Sequence, residues 1–142
     1  MSGLPSLAAL SGDWQLERQI DHQAGGRNTL KGRTSFTRSG ARLIQEETGV
    51  LMTDAGSFEA RQRYVWEADG ASLNVFFSDM RPFHSVPLQT AHHRTAHLCP
   101  PDRYEVTYDF SNWPRWTSTW TVEGPRKAYR MESAYRPRGD CG

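Results

Sequence analysis

Long apolar runs are missing from this chain. No hydrophobic stretch approaches the ~20 residues that carry a helix across a bilayer, and Met1 to Leu10 has no basic segment ahead of its mild Leu/Ala run. Neither a membrane helix nor a secretory leader is expected, so the setting is read as cytoplasmic. Cysteine is scarce as well: Cys99 and Cys141 are the two present, too few for a disulfide framework, and both are read as reduced. A charge excess is lacking, with Lys plus Arg at 17 against Asp plus Glu at 16. That balance argues against nucleic acid or an anionic membrane as partner. Convincing helical periodicity is absent too, which removes bundle and α/β folds from consideration.

What remains is aromatic. The hydrophobic fraction is only 37%, yet the chain holds five Trp, five Tyr and six Phe among 142 residues. Burial carried by rings suits a thin-walled barrel with a partly polar interior better than a solid aliphatic core. The length fits one domain, read as a lead segment over 1–11, a barrel over 12–136 and a tail over 137–142. Monomer and homodimer both fit, and no cofactor is indicated.

Alternation supports the barrel. Ser6 to Ser11 reads as a helical turn, after which Trp14, Leu16, Arg18, Ile20 and His22 share one face of a strand. Leu30, Gly32, Thr34 and Phe36 do the same, as do Phe58, Ala60, Gln62, Tyr64 and Trp66, then Leu73, Val75 and Phe77. In the second half the inward sets are Tyr104, Val106, Tyr108 and Phe110; Trp116, Ser118, Trp120 and Val122; and Tyr129, Met131, Ser133 and Tyr135. Turn residues such as Gly25-Gly26, Ser39-Gly40, Asp54-Ala55-Gly56, Asp69-Gly70 and Gly124-Pro125 separate these runs. The expectation is an all-β, antiparallel, up-and-down barrel of roughly eight to ten strands with an interior pocket.

Candidate chemistry gathers between Ser78 and Asp102. Four of the five histidines, His84, His92, His93 and His97, fall there with Asp79, Arg81, Cys99 and Asp102. Asp79 continues the parity of Leu73, Val75 and Phe77, and Pro82 is expected to hold the backbone extended or turned rather than in a ladder. Gln89 to Thr95 reads as a polar loop in which His92 and His93 are solvated. His97 and Cys99 share a face, but without a second pair of ligands His-x-Cys is not a strong zinc signature, so a site built from His84, His97 and Cys99 is disfavoured and no metal is expected. Arg18 in an inward slot has two explanations: a stem packed on Trp14 with its head satisfied by a carbonyl or carboxylate, or a cation facing an anionic ligand.

Gly12-Asp13-Trp14 resembles the Gly-x-Trp signature of the lipocalins and the wider calycin superfamily, which implies a late-strand arginine, Arg130 or Arg136, capping the indole. The series Tyr64-x-Trp66, Asp79-x-Arg81-x-Phe83-His84, His97-x-Cys99-x-x-Asp102-x-Tyr104 and Trp120-x-Val122-x-Gly124-Pro125-x-Lys127-x-Tyr129 resembles a domain-of-unknown-function family of small bacterial and fungal proteins. The resemblance implies a calycin-like barrel and supplies no activity.

Two functions follow from such a barrel. One is binding of an amphipathic or aromatic small molecule carrying an anionic group, with Arg18, Arg81 or Lys127 meeting the charge and Tyr104, Tyr108, Trp120 and Tyr129 forming the walls. The other is a cofactor-independent enzyme in which His84 or His97, oriented by Asp79 or Asp102, is the general base, Tyr104 or Lys127 is an acid or electrophile, and Cys99 is a nucleophile.

Overall fold

The computed structural model describes residues 6–70, 72–87, 92–99 and 101–138. Their ten strands are β1 (Gly12–His22), β2 (Arg27–Ser39), β3 (Arg42–Thr53), β4 (Gly56–Asp69), β5 (Ser72–Phe77), β6 (Pro82–Pro87), β7 (His92–Cys99), β8 (Asp102–Asp109), β9 (Trp116–Glu123) and β10 (Ala128–Pro137). All neighbours are antiparallel, in the order β6-β5-β4-β3-β2-β1-β10-β9-β8-β7. The first and last strands pair along nearly their whole length, from Trp14↔Pro137 to His22↔Tyr129. The ends of the sheet are therefore β6 and β7, consecutive in sequence, and where they meet the sheet forms a nearly closed barrel. Among the described residues no helix is long and apolar enough to cross a membrane.

The period-two pattern decides which side chains go in. Trp14, Leu16, Leu30, Thr34, Phe36, Trp66, Leu73, Val75, Val106, Tyr108, Phe110, Trp116, Ser118, Ser133 and Tyr135 are all buried. A glycine pair bends the wall: Gly32 and Gly49 oppose each other across β2 and β3. A Cβ on Gly32 would run into the Thr48 carbonyl, so only glycine lets the two backbones approach this closely.

One end is shut. The 3₁₀ turn Leu7–Leu10 buries Leu10 completely, and the Trp14 indole donates to the Leu10 carbonyl at 2.8 Å. Trp14 also packs on Trp113 and Trp116, with ring centroids 5.5 and 6.0 Å away. This replaces the arginine cap implied by the lipocalin resemblance. Arg136 donates instead to Gln15 Oε1, and Arg130, opposite Asp21 at the far end of the ladder, pairs with Glu132.

Two local expectations differ from the structure, and on β4 a shared face does not mean shared burial. His92 and His93 belong to β7, where they oppose Asp109 and Tyr108, because an antiparallel neighbour supplies the hydrogen bonds that polar composition alone does not suggest. Their side chains, and the loop before them, lie outside the described residues. Pro82 does enter a ladder, opposite Phe76, as the first residue of an edge strand, where no donor is required of it. Phe58 and Gln62 keep the inward parity but are exposed, because β5 pairs with β4 only from Tyr64 to Asp69 and the β3–β4 hairpin runs on past that wall.

Candidate functional site

Arg18 fixes the centre of the barrel. Its Nη2 donates to both carboxylate oxygens of Glu47, at 2.9 and 3.2 Å, and to the Tyr135 hydroxyl at 3.3 Å, while Nε donates to Ser133 Oγ at 2.7 Å. Tyr135 in turn donates to Glu47 Oε2 at 3.1 Å. Gln45 extends the network, donating to Glu47 and to Thr34 and accepting from the Trp66 indole at 2.8 Å. Burial opposes the charge on Arg18, but Glu47 and Tyr135 outweigh it and hold the guanidinium above its ordinary pKa. Burial, then the Glu47 charge, pushes the Tyr135 phenol up to about 12. Arg18 is thus held in its charged form, and the buried phenol of Tyr135 beside it stays neutral.

Strand parity accounts for this arrangement. Arg18 on β1, Gln45 and Glu47 on β3, and Ser133 and Tyr135 on β10 all occupy inward slots. A desolvated guanidinium requires a carboxylate, and β3 supplies it 29 residues later. The sequence reading missed Glu47 and Gln45. The available signal was the alternation of Leu43, Gln45 and Glu47, which places an inward acid within reach of the inward base.

A bulge brings in His84. Between Val75 and Phe76 the register with β6 slips, Val75 opposing His84 and Phe76 opposing Pro82, so β6 has one extra residue. Consecutive residues Phe83 and His84 are therefore both buried, which strict alternation forbids. His84 Nε2 shares a 2.6 Å hydrogen bond with the Tyr108 hydroxyl, from β6 to β8. Burial keeps the Tyr108 phenol far above its ordinary pKa and so neutral.

These groups surround a cavity of about 30 Å³, lined by Arg18, Gln45, Glu47, Tyr64, Trp66, His84, Tyr108, Trp116, Ser118 and Trp120 among others. That is on the order of one water molecule's share of the liquid. Trp116 is stacked on Tyr135 at 3.8 Å, and its indole N–H has no hydrogen-bond partner among the described residues.

Above the cavity the barrel opens into an aromatic mouth. Phe83 is its floor, with Phe77, Trp120, His97 and Tyr104 at centroid distances of 4.5, 5.1, 5.4 and 5.8 Å. Tyr64 joins from β4 at 6.1 Å. On the far wall Leu30, Leu51 and Phe58 are register partners on one inner face, and their exposure rises along that row until Phe58 is 51% exposed.

The antiparallel connections deliver the remaining candidates to this end. Asp79 and Arg81 lie in the β5–β6 turn, where Asp79 accepts from the Arg81 backbone N–H and from its Nε at 2.7 Å, both side chains exposed. Arg81 lies over Phe77 at 5.1 Å. Asp102 opens β8 and pairs with Lys127 at 3.3 Å, and Lys127 donates to the Tyr104 hydroxyl at 3.1 Å. Tyr129 is half-buried on β10, 6.2 Å from the His22 ring. The fold thus divides the candidates: Arg18, His84 and Tyr108 belong to the interior, Asp79, Arg81, His97, Asp102, Tyr104, Trp120 and Lys127 to the mouth. The side chains of Cys99, His92 and His93, and the whole of Cys141, lie outside the described residues. Among the described residues no group of three His, Cys, Asp or Glu side chains is placed to hold a metal ion.

Two solved structures are similar to this chain. The S-type phycobiliprotein lyase CPES from Guillardia theta superposes with a TM-score of 0.58 over 91% of this chain and 87% of that one, at 9% identity. A de novo designed fluorescence-activating β-barrel gives a TM-score of 0.48 over 94% of this chain and 99% of the design, at 14% identity. No curated protein matches the sequence. Residues 10–137, from the closing turn to the last strand, match one family throughout, and the chain belongs to the Family of unknown function (DUF6314).

Proposed function

We propose that this barrel binds a small amphipathic or aromatic molecule at its mouth, ring system against the aromatic floor and anionic group at the rim. The single observation that carries the reading is the cluster of half-buried rings, Phe77, His97, Tyr104 and Trp120, packed around the buried Phe83 at the end of the barrel where Phe58 is left in solvent. Concave aromatic surface open at one end, with a few convergent polar tips, is what a small-molecule site requires. The same architecture in a protein named as a phycobiliprotein lyase is compatible with such a role.

Interior volume decides where the ligand lies. About 30 Å³ beside Arg18 and His84 admits no organic ring, so the ligand rests over the cavity rather than within it. That volume also counts against turnover at His84. A substrate much larger than a water molecule cannot enter beside its ring without displacing packed side chains.

The test is a fluorescence titration with 1-anilinonaphthalene-8-sulfonate, an aromatic anion of the proposed kind. Saturable binding by the folded wild-type protein, lost in Trp120→Ala and weakened modestly in His97→Ala, is the expected result. Equal affinity in wild type and Trp120→Ala, with near-ultraviolet circular dichroism unchanged, would remove the bowl from consideration.

A further inference from the structure

Three cations were candidates for the ligand's anionic group, and their surroundings separate them. Arg18 has its guanidinium engaged by Glu47, Tyr135 and Ser133 behind the aromatic floor. Arg81 is turned to solvent and held by Asp79 at its Nε. Lys127 is different because it hydrogen-bonds a second polar group among the mouth's rings. Its ammonium donates to the hydroxyl of Tyr104, whose ring packs on Phe83 and Trp120.

That hydrogen bond has a direction. The Tyr104 oxygen accepts from Lys127, so its own proton is left to donate to something else, and the positive charge behind it makes it a stronger donor. An ammonium has three N–H donors, and Asp102 and Tyr104 take two, which leaves the third for an incoming acceptor. Asp102 keeps the lysine in place, and its position is itself prepared: a Cβ on Gly124 would land on Asp102 Oδ1, so glycine at the β9–β10 turn makes room for the carboxylate. The Tyr104 bond is also the main factor raising the Lys127 pKa.

We propose that Asp102, Lys127 and Tyr104 form the oxyanion-recognition element of the mouth, taking a carboxylate, sulfonate or phenolate of an aromatic ligand between the Tyr104 hydroxyl and the Lys127 ammonium. The proposal rests on the binding function above and adds which side of the bowl holds the charge. The ligand is thereby oriented: its anionic end lies toward β8 and the β9–β10 turn, its rings toward Phe77 and the β3–β4 wall.

Two probes separate this from the parent reading. 1-Anilinonaphthalene-8-sulfonate carries the anion, and N-phenyl-1-naphthylamine has the same rings without it. The expected result is that Lys127→Met and Tyr104→Phe each weaken the sulfonate probe by about tenfold, as loss of a charge-assisted hydrogen bond implies. Affinity for the neutral probe should stay within about twofold, because the ring surface is kept. Equal weakening of both probes, or unchanged sulfonate affinity in both variants, would overturn the proposal while leaving the bowl as a binding site. Loss of sulfonate affinity in Arg81→Met with Lys127→Met unaffected would overturn it too, moving the anion to the β5–β6 turn. Failure of the wild-type protein to bind either probe would end the parent reading and this one together.

Discussion

The two ends of this barrel are built from the same residue classes and have opposite properties. At the shut end, Trp14, Phe110, Trp113 and Trp116 meet one another, Leu10 covers them, and Phe110 is wholly buried. At the mouth, Phe77, Tyr104 and Trp120 are half-covered and Phe58 is exposed, with Arg81 and Lys127 lying over rings at the rim. Aromatic content alone therefore does not distinguish a core from a site. What separates them is the cover: at the shut end the Leu7–Leu10 turn lies over the rings, whereas at the mouth the β3–β4 hairpin continues beyond the reach of β5.

The largest expected effect lies at the shut end. Phe110→Ala should lower unfolding stability by about 3–5 kcal/mol, measured by urea denaturation, because the ring is fully buried and its neighbours are packed rings that cannot collapse into the space. A loss as small as that expected for an exposed ring would dissolve the contrast between the ends.

The floor between them provides the next. Glu47→Ala leaves the Arg18 charge without its carboxylate in a desolvated site and should cost about 3–5 kcal/mol. Replacing both partners by apolar residues, as in Arg18→Met with Glu47→Leu, should recover most of that loss. If the double variant is as unstable as the single one, the ion pair is needed for packing geometry rather than for charge compensation.

Alkaline pH tests the same floor. The phenols of Tyr64, Tyr108 and Tyr135 are raised, in each case chiefly by burial, with Tyr135 near 12. A raised folded-state pKa contributes stability that is complete below the unfolded value of about 10 and is lost as pH climbs toward the folded one. Stability should fall between about pH 10 and 12, with phenolate absorbance of these rings appearing together with unfolding. Phenolate formation well before the loss of near-ultraviolet signal would place these rings in contact with solvent.

How much of this was legible in the sequence follows the same division. Period-two alternation located the inner faces of β1, β2, β8, β9 and β10, because a half-buried strand shows its burial in its own residues. It could not locate the partner of Arg18, since pairing with Glu47 depends on register between strands that are separated by β2. It put Phe58 and Gln62 on one face with Tyr64 and Trp66 but could not tell that they are exposed, because nothing in a strand's own sequence tells where its neighbour ends. The neighbouring placement of Phe83 and His84 in the interior was beyond it as well: the bulge on β6 inserts a residue into the alternation itself. Across the mouth, the gathering of Asp79, Arg81, His97, Asp102 and Lys127 at one end follows from up-and-down connectivity, which the turn spacing did suggest.

Smaller effects belong to the rim. Phe58→Ser should change stability by no more than about 0.5 kcal/mol, since the ring is 51% exposed. The same change should weaken binding of the neutral probe N-phenyl-1-naphthylamine if the far wall contacts the ligand. Unchanged affinity would confine the site to the β5–β9 side of the bowl.

The smallest effect is at Asp79, and it concerns how the mouth is held in shape. Its carboxyl lies below the ordinary carboxylate range, first because it accepts the Arg81 backbone N–H and second because it accepts from the Arg81 side chain. A lowered folded-state pKa contributes stability above the unfolded value near 3.9 that is lost as pH falls through the folded one, but both side chains are exposed and solvent screens most of that contribution. Asp79→Asn should therefore leave the urea midpoint unchanged within error. The informative variant is Arg81→Met, followed by NMR titration of the Asp79 carboxyl: removing the guanidinium should return the pKa only part of the way, because the main-chain donor remains. A complete return would mean that the turn is fixed by the ion pair alone. In that case the β5–β6 rim would loosen with salt, whereas a turn held by its own backbone keeps Phe77 and Phe83 in place at any ionic strength.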